Sequence, residues 1–203
     1  MAFDSGFLPK MSQNAVGMTM RDKSQALRKK LEADIIYPEF YHEYGEFDHM
    51  EFTMGQFFLD NVHYDRTDQI LCSLDGSLNV ALVPHVYRQE MMPGTTTSYH
   101  HEIKGHEMIV DLDINESPIN LFNPDFEKFP SAKHIDHFYK DELTPGDCIY
   151  IPAFYFYQVA GWAEAQSLRG DLRPAAISVS FKYKAHSRML EAFYDAIEKG
   201  ILK

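Results

Sequence analysis

The stretch NVHYDRTDQILCSLDG, residues 61–76, holds an imidazole and a carboxylate two positions apart, His63 and Asp65. Alternate side chains on an extended strand leave the same face, so these two can converge on one divalent ion. Two imidazoles and a carboxylate on one side of Fe(II) leave the remaining positions open for a co-substrate and dioxygen. The pair therefore offers two ligands of three, and the third must come from elsewhere in the chain.

Two other clusters carry metal-ligating side chains. SYHHEIKGHE groups His100, His101, Glu102, His106 and Glu107, types that zinc accepts. It sits in a long polar connection, where adjacent histidines rarely point at one ion, and a solvated loop is the simpler reading. KHIDHF, with His134, Asp136 and His137, repeats the His-x-Asp spacing and reads as an edge segment ahead of the LTPGD turn. Nucleophilic catalysis has no support, because there is no G-x-S-x-G and neither cysteine adjoins a histidine. No phosphate-cradling glycine loop is present. Cys72 and Cys148, each inside an apolar run, read as buried free thiols in a reducing compartment.

Positioning such residues requires a packed body, and the composition supplies one. The 203 residues include 15 Phe and 12 Tyr, enough apolar surface to offset the ordering entropy of one substantial domain. No run approaches the length of a membrane-spanning helix, and MAFDSGFLPK lacks the basic and apolar regions of a signal peptide, so a soluble intracellular protein is expected. A net charge of −11 argues against nucleic-acid binding. The charge is uneven. Lys10, Arg21, Lys23, Arg28, Lys29 and Lys30 face only Asp4 and Asp22 before residue 32, which suits a solvated helix face or a docking arm for an acidic surface.

Residues 1–19 read as an extended arm and MRDKSQALRKKLEAD, residues 20–34, as a helix. From residue 35 to about 52 the aromatic chain, broken by Pro38 and Gly45, suits short irregular pieces. FTMGQFFLD, DQILCSL, SLNVALVP, DCIYIPAFYFYQV and AAISVSFKY read as strands between turn residues, which suggests a barrel or sandwich. In the tail, Met189, Leu190, Phe193, Ile197 and Ile201 form one apolar helical stripe, to be buried on the barrel or on a partner.

Three blocks, HYDRTDQILCSLDGSLNVALVP, SPINLFNPDFEKFP and LTPGDCIYIPAFYFYQVAG, together resemble the JmjC-type, cupin-like branch of the iron and 2-oxoglutarate oxygenases. The resemblance implies a mostly β fold, a double-stranded β-helix; with the elements read above, the chain divides into an N-terminal arm and basic helix (1–34), the barrel (35–183) and a C-terminal helix (184–203). It also implies a ligand histidine on the Ile-Pro strand, and this chain carries Tyr157 there. A neutral phenol is a poor Fe(II) ligand at neutral pH. The family's co-substrate lysine is matched by Leu78, which offers a dianion neither charge nor hydrogen bond, and a frequent threonine is matched by Asp60, which would repel it.

These departures make His63, Asp65 and Tyr157 remnant metal-site positions, with a structural polar pair or a weak or non-iron metal site as the readings for the first two. The expected function is a catalytically inactive barrel acting as a structural or interaction subunit of a larger protein assembly, with no cofactor. Contacts are expected from Arg21, Lys23, Arg28, Lys29, Lys30, Phe193 and Ile197. The alternatives are an active protein hydroxylase using Fe(II) and 2-oxoglutarate at a variant site, and a non-catalytic small-ligand binder.

Overall fold

The computed structural model describes residues 17–22, 45–94, 96–101, 108–163 and 175–201. Two antiparallel sheets face each other. The first runs in the order β1 (Gly17–Asp22), β2 (Phe47–Gly55), β13 (Ala176–Lys184), β5 (Thr67–Asp75), β11 (Cys148–Ile151). The second runs β10 (Tyr139–Leu143), β6 (Ser77–Val83), β12 (Phe156–Trp162), β4 (Val62–Tyr64), β9 (Glu116–Ser117), with β3 (Phe57–Leu59) also on β12. Together they form the double-stranded β-helix the sequence led us to expect.

Several expectations are corrected. Met20, Arg21 and Asp22, read as the start of a helix, belong to β1 and pair with Phe52, Glu51 and Met50 of β2. Helix propensity yields there to the open edge of a sheet that needs a partner. Residues 23–34, with the rest of the expected helix and Lys23, Arg28, Lys29 and Lys30, lie outside the described residues, as does Lys10. Phe47 to Phe52, expected to be irregular, are continuous strand. The polar connection around His100 and His101 is a ribbon of β7 (Thr96–His101) against β8 (Met108–Asp113), while Glu102, His106 and Glu107 lie outside the described residues. His134 closes a 3-10 turn and, like Asp136 and His137, is exposed.

The cysteines are also corrected. Cys72 on β5 and Cys148 on β11 stand opposite each other in the strand pairing, with Cα atoms 4.1 Å apart, and are joined as a disulfide. Positions facing each other across an antiparallel pair bring Cβ atoms within bonding reach, a proximity that a sequence separation of 76 conceals.

Period-2 alternation divides the first sheet. Met50, Ile70, Val179, Phe181 and Tyr183 form an apolar cluster on one face. The opposite parity of β2 and β13 puts Glu51, Thr53, Ser178, Ser180 and Lys182 on the other. Between the sheets Phe58, Leu71, Leu78, Val80, Leu82, Ile151, Tyr157 and Val159 fill part of the barrel. The outer face of the second sheet is covered by Ile119, Leu121, Phe122, Met91 of the short helix α1 (Arg88–Met91) and Tyr194. Tyr194 comes from α2 (Arg188–Glu198), whose docking face is Leu190 and Tyr194, the latter fully buried and stacked on Phe154 at 4.2 Å. The stripe expected on this helix is met only in part: Leu190 packs on the barrel and Ile197 is half-buried, while Met189, Phe193 and Ile201 are exposed and Tyr194 does the anchoring. Arg66 fixes the same helix through Asp195 (2.6 Å) and Glu198.

Gly161 on β12 is required by a close approach. A Cβ built there would lie 2.3 Å from the buried ring of Phe58. Gly161→Ala is expected to destabilise the fold by about 1–3 kcal/mol through overpacking. Urea denaturation measures this, and a change within about 0.5 kcal/mol would show that the ring yields freely.

Candidate functional site

His63 lies on β4 and Asp65 just past its end, while Tyr157 lies on β12 directly opposite His63 in the strand pairing. The turn feeding β12 is tightly held. Asp68, almost fully buried, accepts hydrogen bonds from Tyr150 Oη (2.9 Å), Ala153 N (2.8 Å) and His186 N (3.0 Å). Phe154 adopts a left-handed backbone (φ 66°), and its N–H donates to the Asp65 carbonyl at 2.7 Å. A non-glycine residue there costs about 1 kcal/mol, offset by this bond and by the ring stacked on Tyr194. That turn sets where the Tyr157 hydroxyl falls.

The three positions meet. Tyr157 Oη donates to Asp65 Oδ2 at 2.5 Å and lies 2.8 Å from His63 Nε2. His63 Nδ1 lies 2.8 Å from the Asn61 carbonyl, which can only accept. A phenol has one proton, and it goes to Asp65. The ring is thus held on both sides, beside the Asp65 carboxylate, which lies 4.0 Å from Nε2.

Lys182 completes the group. Its side chain is almost fully buried, and Nζ lies 2.6 Å from Asp65 Oδ2 and 2.7 Å from Glu51 Oε2. Glu51 continues to His49 Nε2 (3.2 Å), whose Nδ1 meets Asp48 at 2.6 Å. A continuous polar chain thus runs across β2, β13 and the β4 end. Burial alone would raise the Asp65 carboxyl, but the Lys182 and His63 charges and the hydrogen bonds from Lys182 and Tyr157 outweigh it and hold it at about 2. Tyr157 is pushed well above its ordinary range, first by burial and then by the Asp65 charge, so it stays a neutral phenol.

Above this group lies a cavity of about 370 Å³ whose walls include Glu51, Asp60, Asp65, Glu116, His63 and Lys182. Asp60 follows β3 and is anchored through its backbone, its N–H donating to the Val159 carbonyl and its carbonyl accepting from Gln158 Nε2. Burial, partly countered by His63, raises its carboxyl above the usual carboxylate range. Leu78 is fully buried in the barrel core and is not part of the cavity wall. Arg21 lies on β1, Phe193 is exposed on α2, and Ile197 is half-buried there.

Sequence reasoning found the meeting of His63, Asp65 and Tyr157 but not Lys182 or Glu51. The signal was present: in AISVSFKYK, Ser178, Ser180 and Lys182 share one parity, and in FDHMEFTMG so do His49, Glu51 and Thr53.

Among solved structures, the chain is similar to YcfD of E. coli at 14% identity and TM-score 0.39, covering 96% of this chain and 42% of that one. It is also similar to the Drosophila melanogaster CENP-C structure bound to CAL1 (9%, TM-score 0.33, 66% and 60% covered). A third is hydroquinone 1,2-dioxygenase from Sphingomonas sp. TTNP3 with 4-hydroxybenzoate bound (12%, TM-score 0.35, 69% and 61% covered). The chain spans less than two thirds of each of these proteins, and scores this low carry nothing about activity. No curated protein matches the sequence. The family profile described as a cupin-like domain matches residues 12–189, most of the chain. Together with the double-stranded β-helix described above, this match places the chain in the cupin-like domain family.

Proposed function

We propose that this chain is a cupin-like barrel without iron and 2-oxoglutarate oxygenase activity, serving as a binding or structural module in a larger protein assembly. The observation that carries the reading is the Tyr157 hydroxyl, which occupies both His63 and Asp65 from the third-ligand position. Iron does not fit the residues present. Among the described residues no three His, Cys, Asp or Glu side chains converge as a metal site. Asp65 already shares one oxygen between the phenol and the Lys182 ammonium, so a cation is built into the protein where an ion would need the carboxylate. The exposed Met189 and Phe193 on α2 support a contact role for that helix.

The test is iron content and 2-oxoglutarate consumption of the chain purified from its source. Iron far below one equivalent is expected, with no thermal shift from 2-oxoglutarate, because a ligand raises stability only as RT ln(1 + [L]/Kd). Tyr157→His, which releases Asp65 from the phenol and adds an imidazole, is expected to give measurable Fe(II) binding where the parent has none. Near-stoichiometric iron with turnover in the parent protein would instead support the hydroxylase reading. The open cavity favours a second reading, small-ligand binding, which can coexist with a role in an assembly.

A further inference from the structure

The cavity walls are strongly biased in charge. Four carboxylates, from Glu51, Asp60, Asp65 and Glu116, face one ammonium and one imidazole. Lys182 is bound to Asp65 and Glu51, and His63 is bound to Tyr157 and the Asn61 carbonyl, so both groups are already committed inside the wall. Glu116 accepts one hydrogen bond, from Asn61 Nδ2 at 3.2 Å. The Asp60 carboxylate differs from the others. It is half-buried, it lines the cavity, and among the described residues no hydrogen bond or ion pair reaches its side-chain oxygens. A carboxylate partly withdrawn from water with no protein donor is held at a cost, which a cation arriving in the cavity lowers.

We propose that this cavity binds a small primary amine, whose ammonium donates to Asp60 while its other N–H groups reach the hydroxyls of Ser178 and Ser180 on the same wall. This rests on the reading of the barrel as a binding module and reverses the charge preference of a dianion-binding pocket. The volume suits a molecule of amino-acid size. An ammonium fits better than a divalent metal, since it needs single acceptors spread around it, whereas a metal needs several carboxylates or imidazoles converging at one point, and the described residues offer none. The amine can be a free molecule or the end of a lysine side chain on a partner.

The probes are 1,4-diaminobutane for the free amine, a short lysine-containing peptide for the side chain, and calcium chloride for a metal, each titrated calorimetrically into the full chain. Asp60→Asn keeps the shape and removes the charge, and it relieves a desolvated carboxylate, so the variant is expected to fold. Binding of the diamine or the peptide, weakened at least about tenfold in Asp60→Asn as expected for loss of a charge-assisted hydrogen bond, supports the proposal, and the stronger of the two identifies the source. Absence of binding by both at 10 mM (roughly the weak end of useful small-ligand affinity), equal binding by Asp60→Asn, or a response to calcium alone overturns it. Iron content is read separately: amine failure with iron still absent leaves the oxygenase-free reading standing, while stoichiometric iron removes that reading whatever the amines do.

Discussion

Replacing Lys182 by methionine is expected to destabilise the fold by about 3–5 kcal/mol at neutral pH, the cost of leaving a buried charge without its partner. Methionine preserves most of the stem volume, so the loss reports on charge and not on a cavity. Two carboxylates lose their ammonium at once, because Nζ is within 2.7 Å of both Asp65 and Glu51. The pH dependence separates this cause from a packing defect. In the parent chain Asp65 has a folded pKa of about 2, below its ordinary 3.8, so its contribution is fully present above pH 4 and is lost as pH falls toward 2. In the variant, burial acts on Asp65 with its strongest counter-charge gone, so its folded pKa rises relative to the parent. A carboxyl held above its unfolded value penalises the fold at neutral pH, and that penalty shrinks as pH falls through the folded value. The gap between parent and variant is therefore expected to narrow on acidification from pH 7 to 4. Urea unfolding at several pH values measures it, and a gap that stays constant would show that Lys182 matters for its stem and not its charge.

The same residue shows why the site was only half legible in the sequence. His63 and Asp65 announce themselves, since a two-residue spacing on a strand has one geometric consequence, and Tyr157 followed from its place on the Ile-Pro strand. Lys182 did not, because a strand with one polar parity is ordinarily read as turning that parity to water. Here Val179, Phe181 and Tyr183 take the other face, where they cluster with Met50 and Ile70 of the neighbouring strands, and the polar parity lines the cavity. Alternation says that the faces differ. Which face is inside depends on what covers the other one, and that is tertiary information. Tyr194 was missed for a related reason: an apolar stripe was traced through Met189, Phe193 and Ile201, while the docking surface made by Tyr64, Phe154 and Arg66 selects the neighbouring face, where the Tyr194 ring can stack. Strand β1 was invisible to local propensity because its stabilisation comes from a partner strand about thirty residues later in the chain.

Breaking the Cys72–Cys148 bond is expected to have the second largest effect. The bond closes a loop of 76 residues, and the chain-entropy relation puts the stabilisation from constraining such a loop at up to about 4 kcal/mol. For a chain of this size that corresponds to a fall in Tm of roughly 10 °C. The placement argues for a local consequence as well. β11 is an edge strand, paired to β5 over four residues of which Cys148 is one, and its last residue, Ile151, leads directly into the turn that carries Phe154 and positions Tyr157. Cys148 is exposed while Cys72 packs beside the apolar cluster of the first sheet, so a reductant reaches the bond from the β11 side. Dithiothreitol should lower the melting temperature of the parent chain, Cys148→Ser should lower it to the same extent, and the reductant should then do nothing further to the variant. Thiol titration of the unreduced parent under denaturing conditions should find no free cysteine. Two titratable thiols, together with a melting temperature indifferent to reductant, would return the pair to the free-thiol reading and leave β11 held by its hydrogen bonds to β5 alone.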